Sequence, residues 1–161
     1  MEFPGVITYT DRLISLRKET TPIEKCRMGG VICHELAHMW FGNYVTMKWW
    51  NDLWLNESFA DFICYMAMSF IDKEMPFETV DAWTNLLRRK AWGYLEDQRD
   101  TTHPIACVVE NTFKADSIFD GITYSKGCAV LKQLYFMIGH DQFSDNLAKY
   151  FKKYGFKNAT L

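Results

Sequence analysis

A single pentapeptide, His34-Glu35-Leu36-Ala37-His38, restricts the folds open to this chain more than any other feature. Residues four apart on an α-helix lie on one face, so the two imidazoles can reach one cation if this segment is helical. Zinc accepts such nitrogens at about 2.0–2.1 Å and needs a third protein ligand to form a catalytic site with one open position. Glu35 points too far around the helix to be a ligand, and we expect it to contact the metal-bound water as a general base.

The residues before this pentapeptide predict the helix that it needs. Thr21 stands at an N-cap position, Pro22 at the first helical position, and Glu24 three residues after the threonine completes a capping box. Gly42 follows the apolar periodic stretch, so we expect the helix to end at about Phe41.

The third ligand should be a carboxylate or a histidine from another element. Glu57 follows His38 after eighteen intervening residues, which is enough chain to turn and return on a second helix predicted from about Asp52 to Phe70. Asp61 lies one helical turn after Glu57, where it can accept a hydrogen bond from the outer N–H of a metal-bound imidazole. The pentapeptide alone could be a chance match whose histidines form ordinary hydrogen bonds, and Glu57 alone could be a solvated surface residue. Their occurrence together at this spacing favours one zinc site.

Composition excludes several classes of protein. A chain of 161 residues with 48% hydrophobic residues is the size of one domain, which would span residues 1–161. It can bury a hydrophobic core without disulfide or metal cross-links. A net charge of −2 leaves no cationic excess for nucleic acid, and no apolar run reaches the roughly 18 residues of a membrane span. Five cysteines without a C-x-x-C pair predict reduced thiols. Residues 1–5 have no signal-peptide pattern, and we expect a cytoplasmic protein.

The rest of the chain is predicted to be dominated by helices. His103 and His140 are expected to be loop or cap residues rather than ligands, because a catalytic zinc needs only three protein ligands. The remaining expectations are a short strand or turn at Gly5–Ser15, a turn or loop at Asn43–Trp50, a helix from about Phe77 to Asp97 after Pro76, a loop at Arg99–Asp120 with a short helix near Ala115, and helices Ile122–Ile138 and about Gln142–Tyr154 separated by Gly139.

From His34 to Asp61 the sequence resembles the zinc-binding signature of the aminopeptidase N and puromycin-sensitive aminopeptidase family of gluzincin metallopeptidases. That signature is H-E-x-x-H, eighteen residues and then Glu, with W-x-x-x-W-L-N-E here at Trp50 to Glu57. Met1-Glu2 resembles the end of the family's G-x-M-E-N exopeptidase motif. Phe119 to Gly127 resembles the stretch that carries the family's catalytic tyrosine. Thr102 to Ile105 resembles another segment that recurs in the family. The resemblance extends over the whole chain in order.

The resemblance implies a role for each matching residue. His34, His38 and Glu57 would bind one zinc ion per chain, and Glu35 would activate water. Tyr124 would donate a hydrogen bond to the oxyanion, for which a phenol that is neutral at pH 7 is suited.

The same resemblance makes Glu2 the group that binds the free α-ammonium of a peptide substrate. Three departures from the family pattern are visible. Phe3 replaces the asparagine of the exopeptidase motif, and Cys64 stands where many members carry an outer glutamate, so we expect Asp61 to take over that function. The third departure is that the chain begins inside the exopeptidase motif.

The resemblance implies a thermolysin-like catalytic domain, of which this mainly α sequence would be the helical lobe with a remnant of the small sheet, incomplete at both ends. We expect the missing N- and C-terminal domains to be needed and the isolated chain to be poorly stable and weakly active while binding zinc. The predicted function is a zinc-dependent aminopeptidase in peptide catabolism. The alternatives are a related gluzincin endopeptidase or hydrolase, and a catalytically idle fragment that serves as a structural or interaction module.

Overall fold

A computed structural model of the chain describes residues 1–14, 20–74 and 81–161. The prediction of a mainly helical fold is confirmed, because helices account for most of those residues. In chain order the elements are α1 (Asp11–Ile14), α2 (Pro22–Ala37), β1 (Val45–Met47), a 3₁₀ turn (Trp50–Asp52), α3 (Trp54–Glu74), α4 (Ala82–Asp97), α5 (Thr112–Asp116), a π-helical segment (Ile122–Lys126), α6 (Gly127–Ile138), α7 (His140–Tyr154) and β2 (Lys157–Ala159).

The capping box predicted for α2 is present. Thr21 Oγ1 accepts a hydrogen bond from the Glu24 amide at 3.3 Å, and Glu24 Oε2 accepts one from the Thr21 amide at 2.8 Å. The far end differs from the prediction, since α2 ends at Ala37 with His38 as its C-cap rather than at Phe41. After Ala37 the spacing of the backbone hydrogen bonds changes: the Met39 amide donates to the carbonyl three residues back, and the Asn43 and Tyr44 amides donate to carbonyls five residues back.

The prediction of a loop at Asn43–Trp50 is wrong for its middle part. Strand β1 pairs in parallel with β2, with Val45 opposite Lys157 and Met47 opposite Ala159. The partner strand lies about 110 residues away, and no local pattern in so short a segment announces such a pairing. The strand or turn expected at Gly5–Ser15 is a turn at residues 4–5 followed by α1, and Ser15 lies outside the described residues.

Helix α3 forms the centre of the molecule. Phe62 is fully buried and its ring contacts the rings of Trp83 from α4, Tyr135 from α6 and Phe143 from α7. The other face of α3 packs on α2, where Cys64 Sγ lies 3.1 Å from the Gly30 carbonyl oxygen. This packing places the ends of α2 and α3 that carry the predicted ligands next to each other.

The later helices follow the predicted order with shifted boundaries. Helix α4 is capped by Asp81, whose Oδ2 accepts from the Thr84 amide at 2.7 Å, and the predicted start at residues 76–77 lies outside the described residues. Helix α5 is the short helix expected near Ala115. Gly139, with φ of 81°, separates α6 from α7, in a backbone conformation that favours glycine. The stretch expected to open α6 is instead the π-helical segment.

Two close approaches fix the π-helical segment in place. A Cβ at Gly127 would overlap Ser58 Oγ of α3, and the same hydroxyl donates a hydrogen bond to the Thr123 carbonyl at 2.5 Å. On the other side, Gly93 of α4 lies against the Gly121 carbonyl, with the Lys126 amide also in contact. The π-helical segment is therefore held between α3 and α4, next to the predicted metal ligands.

Two further predictions can be compared with the structure. The five cysteines all lie within the described residues and form no disulfide; three are buried and two are half-buried. Across residues 1–14, 20–74 and 81–161, none of the helices is both long and apolar enough to span a bilayer.

Candidate metal centre

Three side chains from α2, its C-cap and α3 meet at one buried point. His34 Nε2 and His38 Nε2 lie 3.0 Å apart, and Glu57 Oε2 lies 3.3 Å from the first and 3.2 Å from the second. All three side chains are largely shielded from solvent, with exposed fractions of 16%, 2% and 7%. The structure thus brings together the three residues that the sequence predicted as ligands.

These separations match what a zinc ion requires. Ligand atoms bound at about 2.0–2.1 Å in a tetrahedral site lie about 3.3 Å from one another, close to the three observed distances. In addition, Glu57 Oε2 is buried and faces the two imidazole nitrogens. A buried carboxylate needs a compensating positive charge, and a cation bound between these three atoms would supply one in place of protons on the imidazoles. The donor set of two imidazoles and one carboxylate fits zinc.

The outer nitrogen of each imidazole also faces an acceptor. His38 Nδ1 lies 2.9 Å from the Phe41 carbonyl oxygen, and His34 Nδ1 lies 2.9 Å from Asp61 Oδ1. A proton held on Nδ1 by either acceptor leaves the Nε2 lone pair directed at Glu57. The structure therefore places Asp61 where the sequence expected it.

Arg89 is a residue of this site that the sequence did not indicate. Its Nη2 lies 3.2 Å from Asp61 Oδ2, so Asp61 connects a guanidinium on α4 to an imidazole on α2. The Arg89 guanidinium also lies 4.9 Å from the ring centroid of Trp92, within cation–π range. Asp61 follows Glu57 by a helical turn, but its partner Arg89 is 28 residues further along, and no local spacing reveals that pair.

The charged groups of this cluster shift one another's pKa values. Burial alone would lower the pKa of His34, but the adjacent Asp61 and Glu57 carboxylates outweigh it and raise that pKa to about 10. Burial alone would raise the pKa of Glu57, but the two imidazoles outweigh it and lower that pKa to about 2. Without a metal, the cluster is therefore an ion-paired network at neutral pH, and a metal ion would have to displace its protons.

Glu35 and Glu2 lie on the His38 side of the ligand cluster. Ligand-type atoms of Glu2, Glu35 and His38 all lie within 4.8 Å of one another. The Met1 nitrogen is 3.0 Å from Glu35 Oε2 and 3.9 Å from Glu2 Oε2, so a nitrogen can sit between these two carboxylates. Asn43 fixes the first residues over the site by donating from Nδ2 to the Glu2 carbonyl at 2.6 Å. The two carboxylates that the sequence singled out are thus neighbours.

Tyr124 belongs to the π-helical segment and faces the same centre. Its ring is stacked on that of His34 with 6.1 Å between centroids, and it packs on the Trp92 ring at the same distance. Burial raises the pKa of Tyr124, and the neighbouring Glu57 carboxylate raises it further. The phenol therefore stays protonated and is available as a hydrogen-bond donor.

Asp120 sets the start of the segment that carries Tyr124. Its Oδ1 accepts hydrogen bonds from the amides of Ile122 at 2.9 Å and Thr123 at 3.1 Å, as a capping side chain does. Its Oδ2 lies 3.0 Å from His103 Nε2. His103 is thus a loop residue paired with the cap, and His140, at the first turn of α7, has its Nδ1 3.2 Å from the Tyr135 hydroxyl.

Comparison with known proteins matches the chain to one family and to relatives from several organisms. The family model described as the peptidase family M1 domain matches residues 1–161. The chain is 41% identical to an "Aminopeptidase N" of Streptomyces lividans over all of its own length and 18% of that protein, and 39% identical to an "Aminopeptidase M1-A" of Oryza sativa subsp. japonica over 99% and 18%. A "Probable aminopeptidase 2" of Sulfurisphaera tokodaii is 37% identical over 99% and 20%. The chain spans about a fifth of the length of these curated relatives.

Proposed function

Because the chain belongs to peptidase family M1, a family of zinc metallopeptidases, we propose that it carries the active centre of a zinc-dependent aminopeptidase. The single observation that carries this proposal is the convergence of His34 Nε2, His38 Nε2 and Glu57 Oε2 within 3.3 Å of one another. One zinc ion held by these atoms would act as a Lewis acid that polarises the scissile carbonyl and lowers the pKa of water.

The residues around this point supply the remaining chemistry. Glu35 is next in sequence to His34 and only 15% exposed, and it would take a proton from the attacking water and deliver it to the leaving amine. Tyr124, whose phenol is kept protonated, would donate a hydrogen bond to the oxygen on which negative charge develops. Both groups act on the same carbonyl, from the two elements α2 and the π-helical segment.

Glu2 supports an exopeptidase rather than an endopeptidase. Its carboxylate lies beside Glu35 and His38, so it would bind the α-ammonium of a peptide whose first carbonyl is at the metal centre. A single carboxylate at that position fixes how far the peptide enters, and one residue is then released per cycle. The 3.0 Å distance between the Met1 nitrogen and Glu35 Oε2 supports this position for the α-ammonium.

The test compares two forms of one peptide with the zinc-loaded protein. We expect release of the N-terminal residue from a peptide with a free α-amine and no release from the same peptide acetylated there. Cleavage of the acetylated peptide at an internal bond would instead support the related endopeptidase. Glu35→Gln is the matched variant, because it keeps the size of the side chain and removes the base. It should retain one equivalent of zinc and lose at least about a hundredfold in kcat. If the unaltered protein and Glu35→Gln bind equal amounts of zinc and neither releases an N-terminal residue, the result would support a catalytically idle structural or interaction module.

A further inference from the structure

A cavity of about 580 Å³ opens beside His34, Glu35 and Tyr124. One face of α2 and one face of α4 line it, and α3 contributes Asp61 and further residues. The cavity begins at the metal centre and continues along α2 away from it, because it reaches Cys26, two helical turns before His34.

Two contacts show how α4 is aligned with α2 along this cavity. At the end remote from the metal centre, Asn85 Nδ2 donates to Cys26 Sγ at 3.4 Å. At the metal end, Arg89 reaches Asp61, which in turn lies against His34. Successive residues of α4 therefore follow the cavity from its far end toward the metal centre.

The position of Glu2 gives the cavity a direction relative to a bound peptide. Glu2 and His38 do not line the cavity, whereas His34, Glu35 and Tyr124 do. If the α-ammonium is bound at Glu2 and the first carbonyl at the metal centre, the chain beyond the scissile bond continues into the cavity. This step rests on the proposed function.

The charge of the cavity is set by its arginines. Asp61 is already paired with Arg89, and Glu35 is assigned to proton transfer. Arg27 and Arg88 also line the cavity and are exposed, and among residues 1–14, 20–74 and 81–161 neither guanidinium has a carboxylate within ion-pair distance. Two guanidiniums that have no carboxylate partner in the described part of the chain therefore face the path of the peptide.

We propose that this cavity binds the leaving part of the peptide and that Arg27 and Arg88 select a carboxylate there. Arg27 precedes His34 by seven residues, about 10 Å along the helix axis, and two or three extended peptide residues span a similar length. The carboxylate belongs within the first three residues after the scissile bond. An acidic side chain or the C-terminal carboxylate of a short peptide can supply it, since guanidinium recognises the same group in both.

The experiment uses tetrapeptide amides with N-terminal alanine and with Glu, Gln or Lys at the third position. With the zinc-loaded protein at low salt, kcat/KM should decrease in the order Glu, Gln, Lys, with roughly a tenfold span between the extremes, as expected for partly exposed charged contacts. Trialanine as free acid and as amide distinguishes the two sources, because a preference for the acid shows capture of a C-terminal carboxylate. Equal rates for the three amides and for both trialanines would overturn the proposal.

The variants place the preference on the two arginines. Arg27→Gln with Arg88→Gln should reduce the Glu to Lys ratio below about twofold, and the corresponding lysine variants should keep most of it. Lys25→Gln and Lys90→Gln are matched controls, because each removes a cation two residues away on the same helix and outside the cavity lining. The assignment would be refuted if the double glutamine variant kept the Glu to Lys ratio of the unaltered protein. It would also be refuted if Lys25→Gln and Lys90→Gln lowered that ratio as much as the double glutamine variant does.

A binding measurement separates this inference from the proposed function. The zinc-loaded Glu35→Gln protein should bind the Glu tetrapeptide about tenfold more tightly than the Lys tetrapeptide in calorimetry. If no peptide is hydrolysed by the unaltered protein but this binding preference is present, the proposed reaction fails and the cavity assignment stands. If peptides are hydrolysed at equal rates and bound equally, the reaction stands and the cavity assignment fails.

Discussion

The Nδ1 atom of His34 lies 2.9 Å from Oδ1 of Asp61, on the opposite edge of the ring from the Nε2 that faces Glu57. The other oxygen of Asp61 is held by Arg89 at 3.2 Å, so the carboxylate cannot turn freely. In this chain the outer acceptor for the imidazole stands four residues after the glutamate. Cys64, seven residues after it, is buried and lies against the backbone of α2.

The first prediction concerns that outer acceptor. Asp61→Asn should weaken zinc binding about tenfold to a hundredfold, because the amide cannot hold the Nδ1 proton as the carboxylate does. Arg89→Gln should give a smaller loss in the same direction, since it frees the carboxylate that it orients. Competition with a chelator of known affinity measures both. Arg88→Gln is the control, because Arg88 is the neighbouring arginine of α4 and, unlike Arg89, makes no hydrogen bond or ion pair with Asp61 within the described residues. A loss of zinc affinity in Arg88→Gln as large as that in Asp61→Asn would contradict the prediction.

The free energy of unfolding of the metal-free protein should depend on pH, and His34 and Glu57 should contribute to it in opposite directions. The pKa of His34 is raised to about 10, so its stabilising effect is complete below its ordinary pKa of 6.5 and is lost as the pH rises toward 10. The pKa of Glu57 is lowered to about 2, so its effect is complete above 4.5 and is lost as the pH falls toward 2. The contribution of the pair to the free energy of unfolding is therefore largest between pH 4.5 and 6.5.

Urea unfolding with a chelator present, at intervals from pH 3 to 10, measures this dependence. The free energy of unfolding should decline from pH 6.5 toward 10, and His34→Gln should flatten that decline. Added zinc should stabilise the protein more at pH 8 than at pH 6, because the metal competes with protons for the same nitrogens. A variant with the same slope above pH 6.5 as the unaltered protein would show that another group is responsible.

Local patterns in the sequence were sufficient to predict that His34, His38 and Glu57 lie together. A capping box begins α2, the spacing of four residues places His34 and His38 together, and the return after eighteen residues brings in Glu57. The first two depend on geometry within one helix, and the third depends on the length of chain between two consecutive helices. The roles of Tyr124 and Glu2 came from family resemblance instead, and the structure adds that both side chains lie beside the ligand cluster.

Contacts between distant residues could not be predicted in the same way. Arg89 meets Asp61 from another helix, and β1 meets β2 after about 110 residues, with no periodicity to indicate either. The π-helical segment was also missed, because its wider turn depends on packing between α3 and α4 rather than on its own residues. The end of α2 was placed too late, because the backbone hydrogen bonds change after Ala37 from a spacing of four residues to spacings of three and five, which the apolar pattern does not reveal.

The next prediction concerns the hydrogen bond from Tyr124. Tyr124→Phe should lower kcat about a hundredfold to a thousandfold on a peptide with a free N-terminus, because one donor to a developing oxyanion contributes about 3–4 kcal/mol. Zinc affinity should stay within about twofold, since the phenol is not among the three ligands. Chelator competition and steady-state kinetics on the same preparations test both parts. A parallel loss of zinc would assign the tyrosine to metal binding instead.

Asp120 should act on the reaction through the position of that tyrosine. Asp120→Ala removes both capping hydrogen bonds to the π-helical segment and should destabilise the protein by about 0.5–2 kcal/mol while lowering kcat. Asp120→Asn keeps an acceptor oxygen for the two amides and should restore most of kcat. In the Tyr124→Phe background, Asp120→Ala should lower kcat little further, whereas independent losses that multiply would show that Asp120 does not act through Tyr124.

The last prediction tests the packing that holds the π-helical segment against α3. A Cβ at Gly127 would overlap Ser58 Oγ, a buried hydroxyl that is itself bonded to the Thr123 carbonyl, so neither partner can move without breaking another contact. Gly127→Ala should therefore lower the free energy of unfolding by about 1–3 kcal/mol. Gly29→Ala is the matched control, because the nearest atom to its added Cβ would be Met68 Cε at 4.0 Å and the helix interior favours alanine over glycine. It should be neutral or more stable by up to about 1 kcal/mol. Equal effects of the two substitutions in urea unfolding would show that the approach of Gly127 to Ser58 does not constrain the fold.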